Sequence, residues 1–265
     1  MASVDRADSF VDRHIGPDVA ATNQMLEFLN FKSTEELISA VLPTSIATEL
    51  DNANLPKSAT EVEVISELRD RAKLNKNLTS MIGLGYYNTI TPAVIKRGVL
   101  ENPAWYTAYT PYQPEISQGR LEAIFAFQTV ICDMTALSLS NASMLDEGTA
   151  AAEAMTVARR TSKTSDDAVF LIEKHLHPQT KAVVQTRTKP LGIKVIEIDA
   201  AQVARDGFEQ EFFGLLVQYP DTNGEIYDYS KIAEFAHDKG ALVIAATDLL
   251  ALTLIKAPGE WGADI

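Results

Sequence analysis

Several stretches of this chain carry side chains that could do chemistry. In Asn141-Ala-Ser-Met-Leu-Asp-Glu-Gly-Thr-Ala-Ala-Ala-Glu153 a loop runs into an Ala-rich helix that starts at Asp146-Glu-Gly148-Thr149. Free backbone N–H groups at a helix start attract anions, and Gly148 would let a phosphate come close. The same letters also describe an N-cap by Asp146 ahead of an alanine face packed on a sheet. Thr247-Asp248 ends an apolar run. A carboxylate at the carboxyl end of a parallel strand sits where ligands sit, and it can keep a pyridinium nitrogen protonated. It can equally cap the segment from Leu249 to Ile255.

His175-Leu-His177-Pro follows another apolar run. His-x-His can open a metal site, but no further Cys or carboxylate stands at a ligand spacing, so no metal is expected. A histidine at a helix start can instead lie over a cofactor ring, or be an uninvolved loop residue. Tyr109-Thr-Pro-Tyr112-Gln-Pro-Glu115 is a loop stiffened by two prolines with polar tips. It suits either a pocket wall or a packing loop at an interface. Cys132 falls on an apolar helical stripe and reads as a small core residue rather than a nucleophile. His14 and His237 have no partner that the sequence names.

The elements that must position these residues come in two textures. Residues 1–76 read as short helices: Asp18 to Asn30, then a capping box at Ser33–Glu36 ahead of Leu37 to Leu42, closed by Pro43, then a second box at Thr60 and Glu63. Residues 77–265 form the larger part. After a Gly- and aromatic-rich loop from Met81 to Pro92, a long helix is expected from Ser117 to Ala136, with Leu121, Ile124, Phe125, Gln128 and Cys132 on one stripe. Strands are expected at Leu137–Asn141, Ala168–Ile172, Ile193–Ile198, Phe212–Tyr219 and Ala241–Thr247. Helices are expected at Asp146–Arg160, Pro178–Arg187 and Asp228–Lys239. Apolar strands alternating with helices make an α/β fold with a parallel sheet covered on both faces. The closing Glu260-Trp-Gly-Ala-Asp-Ile265 reads as the lead into another strand, so the domain is expected to be incomplete at Ile265.

Composition excludes several classes. Net charge is −13 over 265 residues, the wrong sign for a nucleic-acid surface. No apolar run approaches the ~20 residues of a membrane span. The single cysteine fits a reducing compartment, and the N-terminus lacks an apolar signal core, so a cytoplasmic location is expected.

Taken in order, Asp12-Arg-His-Ile-Gly-Pro17, Gly83-Leu-Gly-Tyr-Tyr-Asn-Thr89, the run from Glu101 to Glu122, the run from Asn141 to Met155 and Gly259-Glu-Trp-Gly-Ala-Asp264 resemble the N-terminal half of glycine-cleavage P-proteins. The resemblance implies the large domain of a fold-type-I pyridoxal-phosphate (PLP) enzyme, similar to aspartate aminotransferase. It also implies decarboxylation of glycine with transfer of the aminomethyl group to the lipoyl arm of H-protein. In that family the PLP lysine belongs to the second half, and no lysine here fits that role. This half is therefore expected to pair with a C-terminal catalytic half in a dimeric assembly, and no residue of it is assigned a catalytic role. By the same resemblance, Tyr109, Tyr112 and Glu115 wall the partner's pocket. Asn141, Gly148, Thr149, His177 and Asp248 fall at cofactor-binding positions and read as remnants or structural residues. Two alternatives stand beside this: a non-catalytic subunit of a split P-protein, or another fold-type-I enzyme such as an aminotransferase, which would lack the Tyr-Thr-Pro-Tyr-Gln-Pro-Glu loop.

Overall fold

A computed structural model describes residues 14, 16–48, 55–56, 58–106 and 113–265. The chain divides into two compact units, Met1–Thr79 and Ser80–Ile265.

The first unit is helical, and its helices begin where side chains can satisfy the free amides of a first turn. Helix α1, Val19–Phe28, starts at Asp18, whose carboxylate accepts from Ala21 N at 2.8 Å. Helix α2, Thr34–Val41, is capped by Ser33, which accepts from Glu36 N. Here the expected reciprocal bond shifts by one residue, because Glu36 reaches the Lys32 amide at 2.7 Å instead. Helix α3, Glu61–Lys73, carries the complete box between Thr60 and Glu63. Leu26 is buried, whereas Val64, Ile65 and Leu68 of α3 stay exposed.

In the second unit, short helical turns from Ala93 to Tyr106 precede helix α4, Gln118–Thr135. The inner stripe of α4 runs through Leu121, Ile124, Gln128 and Thr135. Phe125, expected on that stripe, lies at its edge and is 70% exposed. The strand expected at Leu137–Asn141 does not form. Its Ser140 carbonyl accepts from Gln128 Nε2 of α4 at 2.8 Å, so a side chain rather than a neighbouring strand satisfies it.

The remainder alternates as expected: α5 (Glu147–Thr161), β1 (Val169–Glu173), α6 (Pro178–Thr188), β2 (Val195–Ile198), α7 (Ala200–Asp206), β3 (Phe212–Tyr219), α8 (Ser230–Asp238) and β4 (Leu242–Thr247). Helix α7 was not anticipated, although Asp199 caps it by accepting from Gln202 N. The strands form one parallel sheet in the order β2-β1-β3-β4. Val169, Leu171, Leu215, Val217 and Val243 face one side, beneath α7, α8 and Trp261. Phe170, Ile172, Phe213, Leu216 and Ile244 face the other, beneath α5 and α6. Burying each such side chain contributes about 1.5–3 kcal/mol. Burial on both faces explains why β1 and β3 read as unbroken apolar runs rather than alternating ones. Beyond β4, the amides of Asp264 and Ile265 donate to Val243 O, and Ala245 N donates to Ile265 O. The outer strand at the other edge is β2, whose Glu197 holds Lys181 Nζ of α6 at 2.6 Å.

Candidate functional site

The carboxyl ends of β1, β3 and β4 deliver His177, the turn Pro220–Gly224 and Asp248 to one cleft of about 850 Å3. Open parallel sheets place ligands at this end. The loop from Gly83 to Thr89 forms the facing wall.

His177 is held at the start of α6 by Pro178, which fixes the first helical residue. Its ring is buried, with Nδ1 3.0 Å from Thr222 Oγ1. Thr222 spends its single hydroxyl proton on His175 O, at 2.7 Å, so it must accept from His177. That fixes the neutral ring as the Nδ1–H tautomer with a free lone pair on Nε2. Burial holds the His177 pKa below the usual 6.5, and the carboxylates of Glu147 and Asp221 oppose that shift without cancelling it.

Two tyrosines of the loop close over these groups. The Tyr86 ring centre lies 5.0 Å from that of His177, tilted by 58°. Its hydroxyl faces Glu147 and Thr180, and its pKa is raised first by burial and then by the Glu147 charge. Glu147 Oε1 and Thr180 Oγ1 are buried there without a hydrogen bond of normal geometry. The neighbouring Tyr87 hydroxyl donates to Asp248 Oδ2, which raises the Tyr87 pKa. The other oxygen, Oδ1, accepts from Leu250 N at 3.0 Å. Asp248 thus caps the segment after β4 with one oxygen and faces the loop with the other. Gly85 makes the approach possible: its φ is +95°, and a Cβ there would fall inside the His177 ring.

At the start of α5, Asp146 Oδ1 accepts from both Thr149 N and Thr149 Oγ1 at 2.7 Å. These bonds hold its pKa below the usual carboxylate range. The helix start therefore already carries its own anion. Beside Gly148, a Cβ would meet Val183 Cγ2 of α6 at 3.1 Å, so packing of α5 on α6 accounts for that glycine. Asn141 is exposed and does not line the cleft. Tyr109 and Tyr112 lie outside the described residues, and Glu115 sits on an exposed turn before α4.

His177 and Asp248 are thus brought together, while Gly148 and Thr149 serve the packing and capping of α5 and Asn141 lies outside the cleft. Sequence reasoning missed the part of Gly85, Tyr86 and Tyr87. The signal available was a Gly-Tyr-Tyr run between two glycine turns, but nothing local said which face it would cover. As they stand, these residues do not fit PLP. Tyr86 lies against His177, Tyr87 holds Asp248, Asp146 fills the helix start, and among the described residues no lysine lines the cleft. No group of His, Cys, Asp and Glu among the described residues could hold a metal ion.

Comparison with known proteins agrees with this architecture. The family model described as glycine cleavage system P-protein matches residues 12–265. A glycine dehydrogenase (decarboxylating) from Cupriavidus metallidurans is 52% identical over 100% of this chain, which spans 27% of that protein. One from a Bradyrhizobium species is 54% identical over 98% of the chain, again 27% of its length. A crystal structure of glycine decarboxylase (P-protein) in inhibitor-bound form superposes with a TM-score of 0.81 at 32% identity, covering 93% of this chain and 56% of that one. The chain spans about a quarter of the curated relatives it matches, and it belongs to the glycine cleavage system P-protein family.

Proposed function

We propose that the chain works as the non-catalytic portion of a cytoplasmic glycine decarboxylase. The activity is PLP-dependent decarboxylation of glycine with transfer of the aminomethyl group to lipoylated H-protein. The observation that carries this reading is the superposition of 93% of the chain on a glycine decarboxylase P-protein. Among the described residues no helix is long and apolar enough to cross a membrane. When bound, PLP supplies the electron sink for loss of CO2. In this reading its lysine lies in the partner half, and the loop Tyr109–Glu115 walls that pocket. Glycine offers little beyond its amine and carboxylate, so its pocket needs tight walls and a few oriented polar groups. A proline-stiffened loop with tyrosine hydroxyls and a carboxylate supplies them at low entropic cost.

The test is glycine-dependent CO2 exchange by the full-length protein with lipoylated H-protein, alongside Tyr112→Phe and Glu115→Gln. Losing one polar contact in a desolvated site lowers the rate by about 10²–10³. Each variant is expected to show that loss with its oligomeric mass unchanged. No exchange by the parent would overturn the reading. Variants that fail to assemble but turn over normally once assembled would make the loop an interface element instead.

A further inference from the structure

We propose that Tyr86 and Tyr87 are a built-in occupant of this segment's own cleft, closing it to ring-bearing phosphate ligands. The inference rests on the reading above only in taking this chain as the non-catalytic portion, without the cofactor lysine. The contacts themselves come from the structure. Any planar heterocycle bound across the ends of β1, β3 and β4 would need an aromatic face at His177, a donor for Asp248 and an anion at the start of α5. This chain fills all of those positions with its own atoms.

The Tyr86 phenol puts its ring against His177 and its polar tip toward Glu147 and Thr180, at the starts of α5 and α6. A ring carrying a phosphate arm would run from the same histidine toward the same helix starts. The Tyr87 O–H donates to Asp248 Oδ2, as a protonated ring nitrogen would. Asp146 lays a carboxylate across the first turn of α5, fixed by both the amide and the hydroxyl of Thr149. An incoming phosphate would therefore meet a like charge where it needs free N–H groups.

The seat is built for the loop. With φ at +95° and no room for a Cβ beside the His177 ring, Gly85 alone lets the backbone come this close. An occupant tethered in the same chain acts at an effective concentration of order millimolar and gives up little translational freedom on binding. A free ligand that cannot form a covalent bond here must outcompete it.

The experiment uses the full-length holoprotein with its PLP complement in place. The probe is pyridoxine 5′-phosphate, which has the ring and phosphate but no aldehyde and so cannot form a Schiff base with a lysine elsewhere. Equilibrium dialysis is run on the parent and on a Tyr86→Ala, Tyr87→Phe, Asp146→Ser variant, in which serine keeps the helix cap. The parent is expected to show no saturable uptake. The variant is expected to gain one equivalent per chain, with affinity improved by at least about tenfold. Saturable binding by the parent at the variant's affinity would overturn the proposal, as would a folded variant that binds none. If the triple variant does not fold, Tyr86→Ala with Asp146→Ser, which vacates the ring seat and the helix start, carries the same expected direction, and no gain there overturns the proposal too. Glycine-dependent CO2 exchange is measured on the same preparations. Absent exchange would count against the proposed function, whereas the dialysis result judges the tyrosines by themselves.

Discussion

Adding one methyl group at Gly85 should unseat the loop that covers His177. At φ +95° an L-residue loses about 1–2 kcal/mol relative to glycine. The new Cβ would also lie inside the His177 ring, with even Nε2 only 2.7 Å away, and overpacking of that kind costs about 1–3 kcal/mol. The strain in the closed state of Gly85→Ala is then about 2–5 kcal/mol. Against it stand the half-burial of Tyr86, worth ~1 kcal/mol, its ring contact with His177, ~1 kcal/mol, and the Tyr87–Asp248 hydrogen bond, ~1 kcal/mol. Strain and hold are of similar size, so the loop should release while the sheet beneath stays folded. His177 reports the change directly: in the parent it is only 5% exposed. Its carbethoxylation near neutral pH, followed by mass spectrometry of the peptide, should accelerate by at least about tenfold in Gly85→Ala, the effect of a ~1.4 kcal/mol shift. Relief of burial should also move the His177 pKa up toward its ordinary value. An unchanged reaction rate with an unchanged melting temperature would refute the placement of the loop. An unchanged rate with a lowered melting temperature would mean that the strain is carried by the sheet.

Other expectations follow from the packing and the titrating groups. Gly148→Val should cost about 2 kcal/mol by driving α5 off Val183, and adding Val183→Ala should recover part of that loss, read as a double-mutant cycle in thermal unfolding. Burial depresses the His177 pKa, so its neutral form contributes stability fully above the ordinary 6.5, and that contribution is lost as pH falls through the lowered value. His177→Gln should therefore flatten the acid side of a melting-temperature profile. Glu173 has the opposite sign: burial raises its carboxyl pKa, so its contribution is complete below the ordinary 4.5 and is lost as pH rises through the raised value. Glu173→Gln should then melt higher than the parent at neutral pH, and equal melting would contradict the assigned cause.

Much of the sheet was legible because it obeys local rules. Phe212–Tyr219 is a strand over the expected residues, since a run of buried residues that is apolar or small except for Gln218 leaves little ambiguity. The caps of α1, α3 and α5 follow from single side chains three residues from their partners. Leu137–Asn141 misled because an apolar alternation shows only the capacity to pair, and pairing needs a free strand edge beside it. Helix α7 was hidden by its length of seven residues, too short to show a period. For the cleft, the chain order placed His177 and Asp248 at strand ends. The seat of Tyr87 against Asp248, however, joins residues 161 positions apart, and no local signal carries that information.

The outer strand β2 has a consequence for how this protein behaves when it is crowded or newly made. It is four residues long, and among the described residues no strand pairs with its outward edge, which another chain could use as a template. Three of its residues, Val195, Ile196 and Ile198, are of the type that builds intermolecular sheets. Glu197, tied to Lys181, interrupts them with a charge that a second chain would have to desolvate or displace. The ion pair adds little to the stability of the folded state. Its weight falls on solubility: with Glu197→Val the edge would become an uninterrupted β-branched run, and refolding at high concentration would be expected to yield sheet-rich aggregate in place of dispersed protein.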